Sequence, residues 1–183
     1  MGKKILILNG SPRKTGNTVA LTAEFKKGAE EAGNVVTEFF LAGMNINGCK
    51  GCFCGGKNPD SPCVQKDDMD KIYPVYREAD VIVLATPLYY WTISGQLKTA
   101  FDRLFAVAEC DPNYRNPKKE SVLIMAAEGY GFEETLYWFS MLTDSPARSS
   151  SCESLSYRAV SLSFSACFFM VCNLLSLRVR ASL

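Results

Sequence analysis

The chain has 183 residues, with twenty Lys and Arg against nineteen Asp and Glu, which gives a formal net charge of +1. This length suits a single domain, and a near-neutral charge without a basic stripe argues against nucleic acid as the main partner. The sequence has eight cysteines and shows no secretory signal at its start, which predicts metal or thiol chemistry in a reducing cytoplasm. It has no histidine, which excludes a Ser–His or Cys–His nucleophile and any histidine-bound metal.

Short apolar runs alternate with amphipathic stretches along the chain as far as residue 142. Apolar runs predict strands at residues 5–8, 35–41, 81–85 and 122–127, and helical spacing predicts helices at residues 21–32, 69–79, 97–108 and 132–142, the third with Ser94 as its N-cap. The alternation predicts a doubly wound α/β sheet with right-handed crossovers. Ligands of such sheets bind beyond the carboxyl ends of the strands, which indicates residues 9–18, 86–94 and 128–131, hereafter the first, second and third loops.

The first loop joins a buried strand to a helix N-terminus, where unpaired amides and the positive end of the helix dipole favour an anion. It contains neither G-x-x-x-x-G-K-[ST] nor G-x-G-x-x-G, so neither a bound triphosphate nor a dinucleotide is indicated. Its polar groups suit a phosphate monoester that is held and not transferred. The candidate groups are those of Ser11, Arg13, Thr15, Gly16, Asn17 and Thr18. The alternative is an ordinary turn with Thr15 or Thr18 as the N-cap.

The second loop places three aromatic side chains just past a buried strand. Its candidate ligand contacts are Pro87, Leu88, Tyr89, Tyr90 and Trp91, and Glu128 and Gly129 are those of the third loop. Clustered aromatics at a strand exit indicate a planar ligand, with a subunit interface as the alternative. A phosphate site on one side and aromatic rings on the other predict a flat, phosphorylated cofactor, and FMN fits that outline better than a nucleotide.

These motifs resemble those of the flavodoxin-like NAD(P)H-dependent FMN reductases, on residues 8–13, 16–18, 87–91 and 94–103. The resemblance implies a flavodoxin-like doubly wound parallel sheet of order 2-1-3-4-5. It also implies that Ser11, Arg13, Asn17 and Thr18 hold the FMN phosphate and that residues 87–91 border the isoalloxazine. Lys98, Asp102 and Arg103 lie on the helix that follows, where we expect fold-stabilising pairs.

The function that follows is an FMN-dependent oxidoreductase passing electrons from NAD(P)H to a flavin, quinone or similar small acceptor. No side chain is assigned as catalytic, because the flavin carries out the redox chemistry. The alternatives are an electron-transfer iron–sulfur flavoprotein and a non-catalytic interaction protein. The relatives suggest a cytoplasmic homodimer or tetramer, without nucleic acid or membrane as partners.

Cysteines at positions 49, 52, 54 and 63 lie in a Gly- and Pro-rich insert that is similar to the iron–sulfur flavoprotein branch of the family. Four thiolates within fifteen positions can bind a [4Fe–4S] cluster or Zn²⁺, with Cys49, Cys52, Cys54 and Cys63 as the ligands. Free thiols in a substrate-covering or dimer-contact loop are the third interpretation. The spacing departs from the C-x₂-C-x₂-C of that branch, and in an extended chain Cys52 and Cys54 would point to opposite sides.

The composition changes after about residue 143. Residues 140–183 hold twelve of the sixteen serines and neither glycine nor lysine. We therefore expect a flavodoxin-like domain at residues 1–143 and an atypical tail at 144–183, for which an out-of-frame C-terminus is the simplest account. Alternation from Val160 to Ala166 predicts, as the alternative, an edge strand followed by a short helix at 167–177. A membrane anchor at 159–177 is the third option.

Overall fold

The computed structural model describes residues 2–128, 132–143, 160–164 and 167–173, the last two segments only as strands. Six strands form one sheet in the order β2-β1-β3-β4-β6-β5. Their bounds are β1 Lys4–Asn9, β2 Val35–Phe40, β3 Val81–Pro87, β4 Glu120–Ala127, β5 Val160–Phe164 and β6 Cys167–Asn173. β1 to β4 pair in parallel, whereas β6 lies antiparallel to β4 and to β5.

The helices lie between the parallel strands, as the alternating pattern predicts. Their bounds are α1 Asn17–Glu31, α2 Met69–Glu78, α3 Gly95–Arg103, α4 Phe105–Ala108 and α5 Glu133–Thr143, and a 3₁₀ turn spans Leu41–Gly43. The predicted N-cap of α3 is confirmed, because the Ser94 hydroxyl accepts a hydrogen bond from the amide of Leu97 at 3.3 Å. The predicted N-cap of α1 at Thr15 or Thr18 is wrong, because Gly16 occupies that position and no side chain caps the helix.

The parallel strands are apolar on both faces because helices cover both faces. Leu6 and Leu8 of β1 join a core cluster with α2 and α3, while Ile5 and Ile7 pack with the Ala29 side of α1. All four are at most 1% exposed, and burial of each contributes about 1.5–3 kcal/mol. This double burial accounts for the continuous apolar runs of the sequence.

The expected strand order 2-1-3-4 is confirmed, and the place next to β4 belongs to an antiparallel strand. The predicted edge strand at 160–166 is present as β5, but a helix at 167–177 is wrong, because Cys167–Asn173 form β6. The run Cys-Phe-Phe-Met-Val-Cys has high strand propensity, and the edge of β4 supplies the backbone partners that a strand needs. The domain boundary at 143 and the out-of-frame tail stay predictions.

The structure also bears on the predicted membrane anchor at residues 159–177. Within the described segments, no helix combines the length and the apolar character that crossing a bilayer requires. Residues 160–164 and 167–173 of that stretch are strands, and the remainder lies outside the described residues.

Candidate functional site

The first loop begins at Asn9, a fully buried side chain that sets its shape. The Oδ1 atom of Asn9 accepts a hydrogen bond from the Ser11 amide at 3.0 Å, and its Nδ2 donates to Oε1 of Glu38 on β2 at 2.9 Å. The Ser11 hydroxyl donates to the carbonyl of Arg13 at 2.9 Å and accepts from the Arg13 amide at 3.2 Å. Ser11 is therefore 4% exposed and closes the loop on itself.

The outer part of the first loop presents donors to solvent. Residues 12–17 are exposed, whereas Thr18 is buried and its carbonyl accepts from the Thr22 hydroxyl at 2.7 Å. No side chain caps α1 at Gly16, which is the arrangement in which a helix N-terminus can bind an anion. Arg13 and Lys14 add exposed positive charge beside this helix N-terminus.

Gly10 is the point at which the first and second loops meet. Its amide donates to the carbonyl of Ala85 on β3 at 2.8 Å, and its carbonyl accepts from the Ser94 hydroxyl at 2.7 Å. A Cβ at this position would lie 2.5 Å from Ser94 Oγ and 2.7 Å from Leu97 Cβ, closer than side chains tolerate. Glycine is therefore required for the two loops to pack at this distance.

The second loop contains a tight turn that displays its aromatic rings. Tyr89 and Thr92 pair as an antiparallel bridge, with hydrogen bonds of 2.9 and 3.1 Å in the two directions. Tyr90 and Trp91 between them have φ angles of 51° and 61°, the left-handed region that non-glycine residues rarely adopt. Tyr90 is 91% exposed and Trp91 57%, and their ring centroids are 5.1 Å apart. Such local strain concentrates at ligand sites.

Neighbouring elements hold this turn in place from both ends. The Thr86 hydroxyl accepts from the Ser94 amide at 2.9 Å, and the Thr135 hydroxyl of α5 donates to the carbonyl of Trp91 at 3.2 Å. Leu88 donates its amide to the carbonyl of Ala126 at 2.8 Å, which ties the turn to the end of β4. The turn is thus hydrogen-bonded to the N-cap of α3, to α5 and to the end of β4.

The third loop begins beside the same edge of the sheet. Glu128 is exposed at the end of β4, and the predicted contact Gly129 lies outside the described residues. The structure therefore brings together the first loop, the second loop and the start of the third, as predicted. An open helix N-terminus on one side and exposed aromatic rings on the other fit the phosphate and the ring system of FMN. Individual contacts with the cofactor stay predictions.

The pairs expected on α3 are present, at opposite degrees of burial. Lys98 and Asp102 form an exposed i,i+4 pair with a Nζ–Oδ1 distance of 2.5 Å. The Arg103 guanidinium is 1% exposed and pairs with the Asp67 carboxylate at 2.7 and 3.2 Å. It also donates to the carbonyls of Asn47 at 2.7 Å and Gln65 at 3.3 Å. Arg103 therefore anchors both ends of the cysteine segment, defined here as residues 48–66.

Asp67 is held ionised at this anchor. Burial alone would raise its pKa, but hydrogen bonds from the Arg103 guanidinium and from the amides of Asn47 and Met69 outweigh that cost and lower the pKa below its usual value. The residue flanks the cysteines in sequence, and nothing in the local pattern distinguishes it as the partner of a residue on α3.

The four predicted metal ligands do not come together. Cys49, Cys52 and Cys63 line one small pocket, whereas Cys54 does not line it and its thiol donates to the carbonyl of Cys52 at 3.0 Å. Phe53 between Cys52 and Cys54 has a φ of 49°, so the chain is not extended there. In the described part of the chain, no three Cys, Asp or Glu side chains are arranged to hold a metal ion. A four-thiolate site does not fit this arrangement.

Three polar residues of the site, each with a buried side chain, were not identified from the sequence. Asn9 and Thr86 shape the first and second loops, and Asp67 anchors the cysteine segment. A polar residue directly after an apolar strand is the signal that could have identified Asn9 and Thr86. The partner of Asp67 is 36 positions away and has no such signal.

Four parallel strands with helices on both faces, and with their loops gathered at one edge, define a flavodoxin-like protein. The family model described as NADPH-dependent FMN reductase matches residues 3–139. The chain belongs to this family. Two solved structures share its fold, RosB with bound 8-demethyl-8-formylriboflavin-5'-phosphate and an azoreductase from Bacillus anthracis str. Sterne. RosB has a TM-score of 0.61 at 17% identity, and the match covers 76% of this chain and 58% of RosB. The azoreductase has a TM-score of 0.55 at 18% identity, and the match covers 77% of this chain and 80% of the azoreductase.

Several curated relatives carry the name iron-sulfur flavoprotein, and two of them illustrate the match. One from Archaeoglobus fulgidus is 33% identical over 120 residues, which are 66% of this chain and 53% of the relative. That of Methanosarcina thermophila is 31% identical over 133 residues, which are 73% of this chain and 69% of the relative. The chain thus spans between about half and two thirds of the length of these relatives.

Proposed function

We propose that this chain binds FMN across the first and second loops and passes electrons from NAD(P)H to a flavin, quinone or similar small acceptor. The observation that carries the proposal is the packing at Gly10, which joins an uncapped helix N-terminus to an exposed aromatic turn. Membership of the FMN reductase family supports the same ligand.

The protein's own contribution is binding and positioning. Bound FMN supplies the hydride and electron chemistry. The N-terminal amides of α1, with Arg13 and Lys14, neutralise a phosphate dianion, and the Gly10–Ser94 hydrogen bond fixes the spacing between phosphate and ring. The rings of Tyr90 and Trp91 shield one side of the heterocycle from water.

The proposal is tested by comparing FMN with riboflavin, which lacks the phosphate. Titration of the apoprotein by fluorescence quenching should show FMN binding roughly tenfold or more tighter, because charge-assisted phosphate hydrogen bonds contribute about 1.5–3 kcal/mol. The FMN-loaded chain should then oxidise NADH or NADPH when menadione is present. Equal affinity for the two flavins, or no oxidation of either nicotinamide, would refute the proposal.

A charge substitution in the first loop supplies the matched control. Arg13→Met should weaken FMN binding roughly three- to tenfold and leave riboflavin binding unchanged, because only FMN presents the anion. Lys27→Met makes the same change on an exposed residue far along α1 and should alter neither affinity. Equal effects of the two substitutions would place the phosphate elsewhere.

The relatives' names favour a second candidate, an electron-transfer protein that carries FMN and an iron–sulfur cluster. The position of Cys54, outside the pocket that the other three cysteines line, argues against it. An absorbance spectrum of anaerobically purified protein separates the two: flavin bands alone support the reductase, and a broad additional band near 400 nm without nicotinamide turnover supports the carrier.

A further inference from the structure

Glu38 is the only charged residue of β2, whose sequence is Val-Val-Thr-Glu-Phe-Phe. It lies on the same face of the strand as Val36, which packs with the α1 side of the core. Its side chain is half-buried, and its Oε1 accepts a hydrogen bond from Nδ2 of Asn9 on β1 at 2.9 Å. Among the described residues no ion pair offsets the burial of this carboxylate. The stability of β2 therefore does not account for a carboxylate at this position.

The Glu38 carboxylate determines which way the Asn9 amide points. An ionised carboxylate can only accept hydrogen bonds, whereas one end of an asparagine amide donates and the other accepts. Glu38 therefore selects the orientation in which Nδ2 of Asn9 faces β2. Oδ1 then faces the Ser11 amide, from which it accepts at 3.0 Å. Because Asn9 is fully buried, bulk water replaces neither bond.

The orientation of Asn9 is transmitted to the first loop through Ser11. The Ser11 hydroxyl donates to the carbonyl of Arg13 at 2.9 Å and accepts from its amide at 3.2 Å, which closes the turn that leads to α1. A reversed Asn9 amide would set the Nδ2 donor against the N–H donor of Ser11, and the turn would have to open. The conformation of the loop before the helix N-terminus thus depends on Asn9.

The other side of the first loop is held independently of Glu38. The Gly10 amide donates to the carbonyl of Ala85 at 2.8 Å, and the Gly10 carbonyl accepts from the Ser94 hydroxyl at 2.7 Å. Loss of the Glu38 contact would therefore release residues 11–13 without separating the first loop from the second. The consequence should be confined to the phosphate end of the site.

We propose that Glu38 is a positioning residue for the phosphate of FMN, an inference that rests on the proposed function. Its carboxylate keeps the Asn9 amide in one orientation, and Asn9 holds the Ser11 amide, so the first loop is preorganised for an anion. Preorganisation is measurable as affinity: if the binding conformation is populated only about one time in ten, the ligand binds about tenfold more weakly.

The test compares the FMN and riboflavin affinities of the full chain, with the ³¹P resonance of bound FMN as a second readout. Glu38→Met removes the acceptor at similar side-chain length. It should weaken FMN binding roughly tenfold, leave riboflavin binding within about twofold, and shift or broaden the ³¹P resonance. Glu38→Gln keeps an Oε1 acceptor without the charge and should restore most of the FMN affinity.

Glu120→Met is the matched control. Glu120 is also a partly buried strand carboxylate, but it lies at the start of β4, at the opposite edge of the sheet from the loops, and pairs with Lys3. Its replacement should change neither flavin affinity nor the ³¹P resonance. Riboflavin binding by each variant shows that the variant is folded.

A double variant tests whether Glu38 acts through Asn9. Once Asn9→Ala has removed the amide, adding Glu38→Met should cause no further loss of FMN affinity. Additive losses would overturn the inference, as would an undiminished preference for FMN in Glu38→Met or an equal loss of both flavins in that variant. A loss in Glu38→Gln as large as that in Glu38→Met would overturn it as well. Equal affinity of the wild type for the two flavins would overturn it together with the proposed function.

Discussion

The Arg103 side chain donates hydrogen bonds to the backbone carbonyls of Asn47 and Gln65, at the two ends of the irregular cysteine segment. Its guanidinium reaches two carbonyls and a carboxylate while remaining 1% exposed, so the charge is buried together with its counter-charge. Removing one partner of a buried pair leaves the other charge uncompensated, which costs about 3–5 kcal/mol. Exposed pairs contribute far less, about 0.2–1 kcal/mol.

We therefore expect Asp67→Asn to lower the free energy of unfolding by about 3 kcal/mol or more, measured by urea denaturation. Asp102→Asn is the control, because it removes the carboxylate of the exposed Lys98–Asp102 pair on α3, the helix that carries Arg103. Its cost should stay below about 1 kcal/mol. Equal losses in the two variants would show that the buried pair does not hold the segment.

The same carboxylate makes stability depend on pH. Because the folded-state pKa of Asp67 is lowered, its contribution is complete above the unfolded-state pKa of about 3.9 and is lost as the pH falls through the folded-state value. The wild-type free energy of unfolding should therefore fall below about pH 4, and Asp67→Asn should flatten that slope.

Among the elements, the turn of the second loop combines strain with exposure. Two adjacent non-glycine residues in the left-handed region each cost about 1–2 kcal/mol, and the rings they display are mostly in solvent. A sequence selected for stability alone would place Asn-Gly here. We therefore expect the rings of Tyr90 and Trp91 to contact a ligand.

The double substitution Tyr90→Asn with Trp91→Gly should raise the free energy of unfolding by about 1 kcal/mol or more and weaken FMN binding roughly three- to tenfold. Tyr114→Asn is the control, since Tyr114 has a φ of 54° but lies outside the three loops. It should leave FMN affinity unchanged. Unchanged affinity in the double variant would show that the second loop does not contact the flavin.

At the scale of the whole molecule, the hairpin of β5 and β6 covers the edge of β4. The six-residue register from Val122 to Ala127 against β6 satisfies backbone groups that would otherwise remain open to other chains. The tail is compositionally unlike the rest of the chain, yet it occupies the place next to β4 in the sheet.

Deletion of residues 145–183 should therefore cause concentration-dependent association in size-exclusion chromatography and reduce FMN retention, because an open edge adds strands from other molecules. Deletion of 174–183, which begins after β6, is the control and should preserve both properties. A monodisperse, fully flavin-loaded protein after the longer deletion would show that the hairpin is dispensable.

The sequence alone determined the features that depend on local pattern. Apolar runs predicted β1 to β4, and helical spacing predicted the helices between them. Ser94 was identified as a cap, and stabilising pairs were expected among Lys98, Asp102 and Arg103 from the resemblance to the family. Strand–helix alternation then placed the first and second loops at one edge of the sheet, because parallel strands end together there.

Only the tertiary structure decided which distant groups meet. The structure pairs Arg103 with Asp67 and Gly10 with Ser94, and it leaves Cys54 outside the pocket that the other three cysteines line. These contacts and the antiparallel β6 depend on where the intervening chain runs and which sheet edge remains open. The periodicity of apolar residues and the capping of helices depend on residues a few positions apart, so the sequence alone indicates them. Contacts between remote segments arise from packing the finished elements, and no local pattern specifies them.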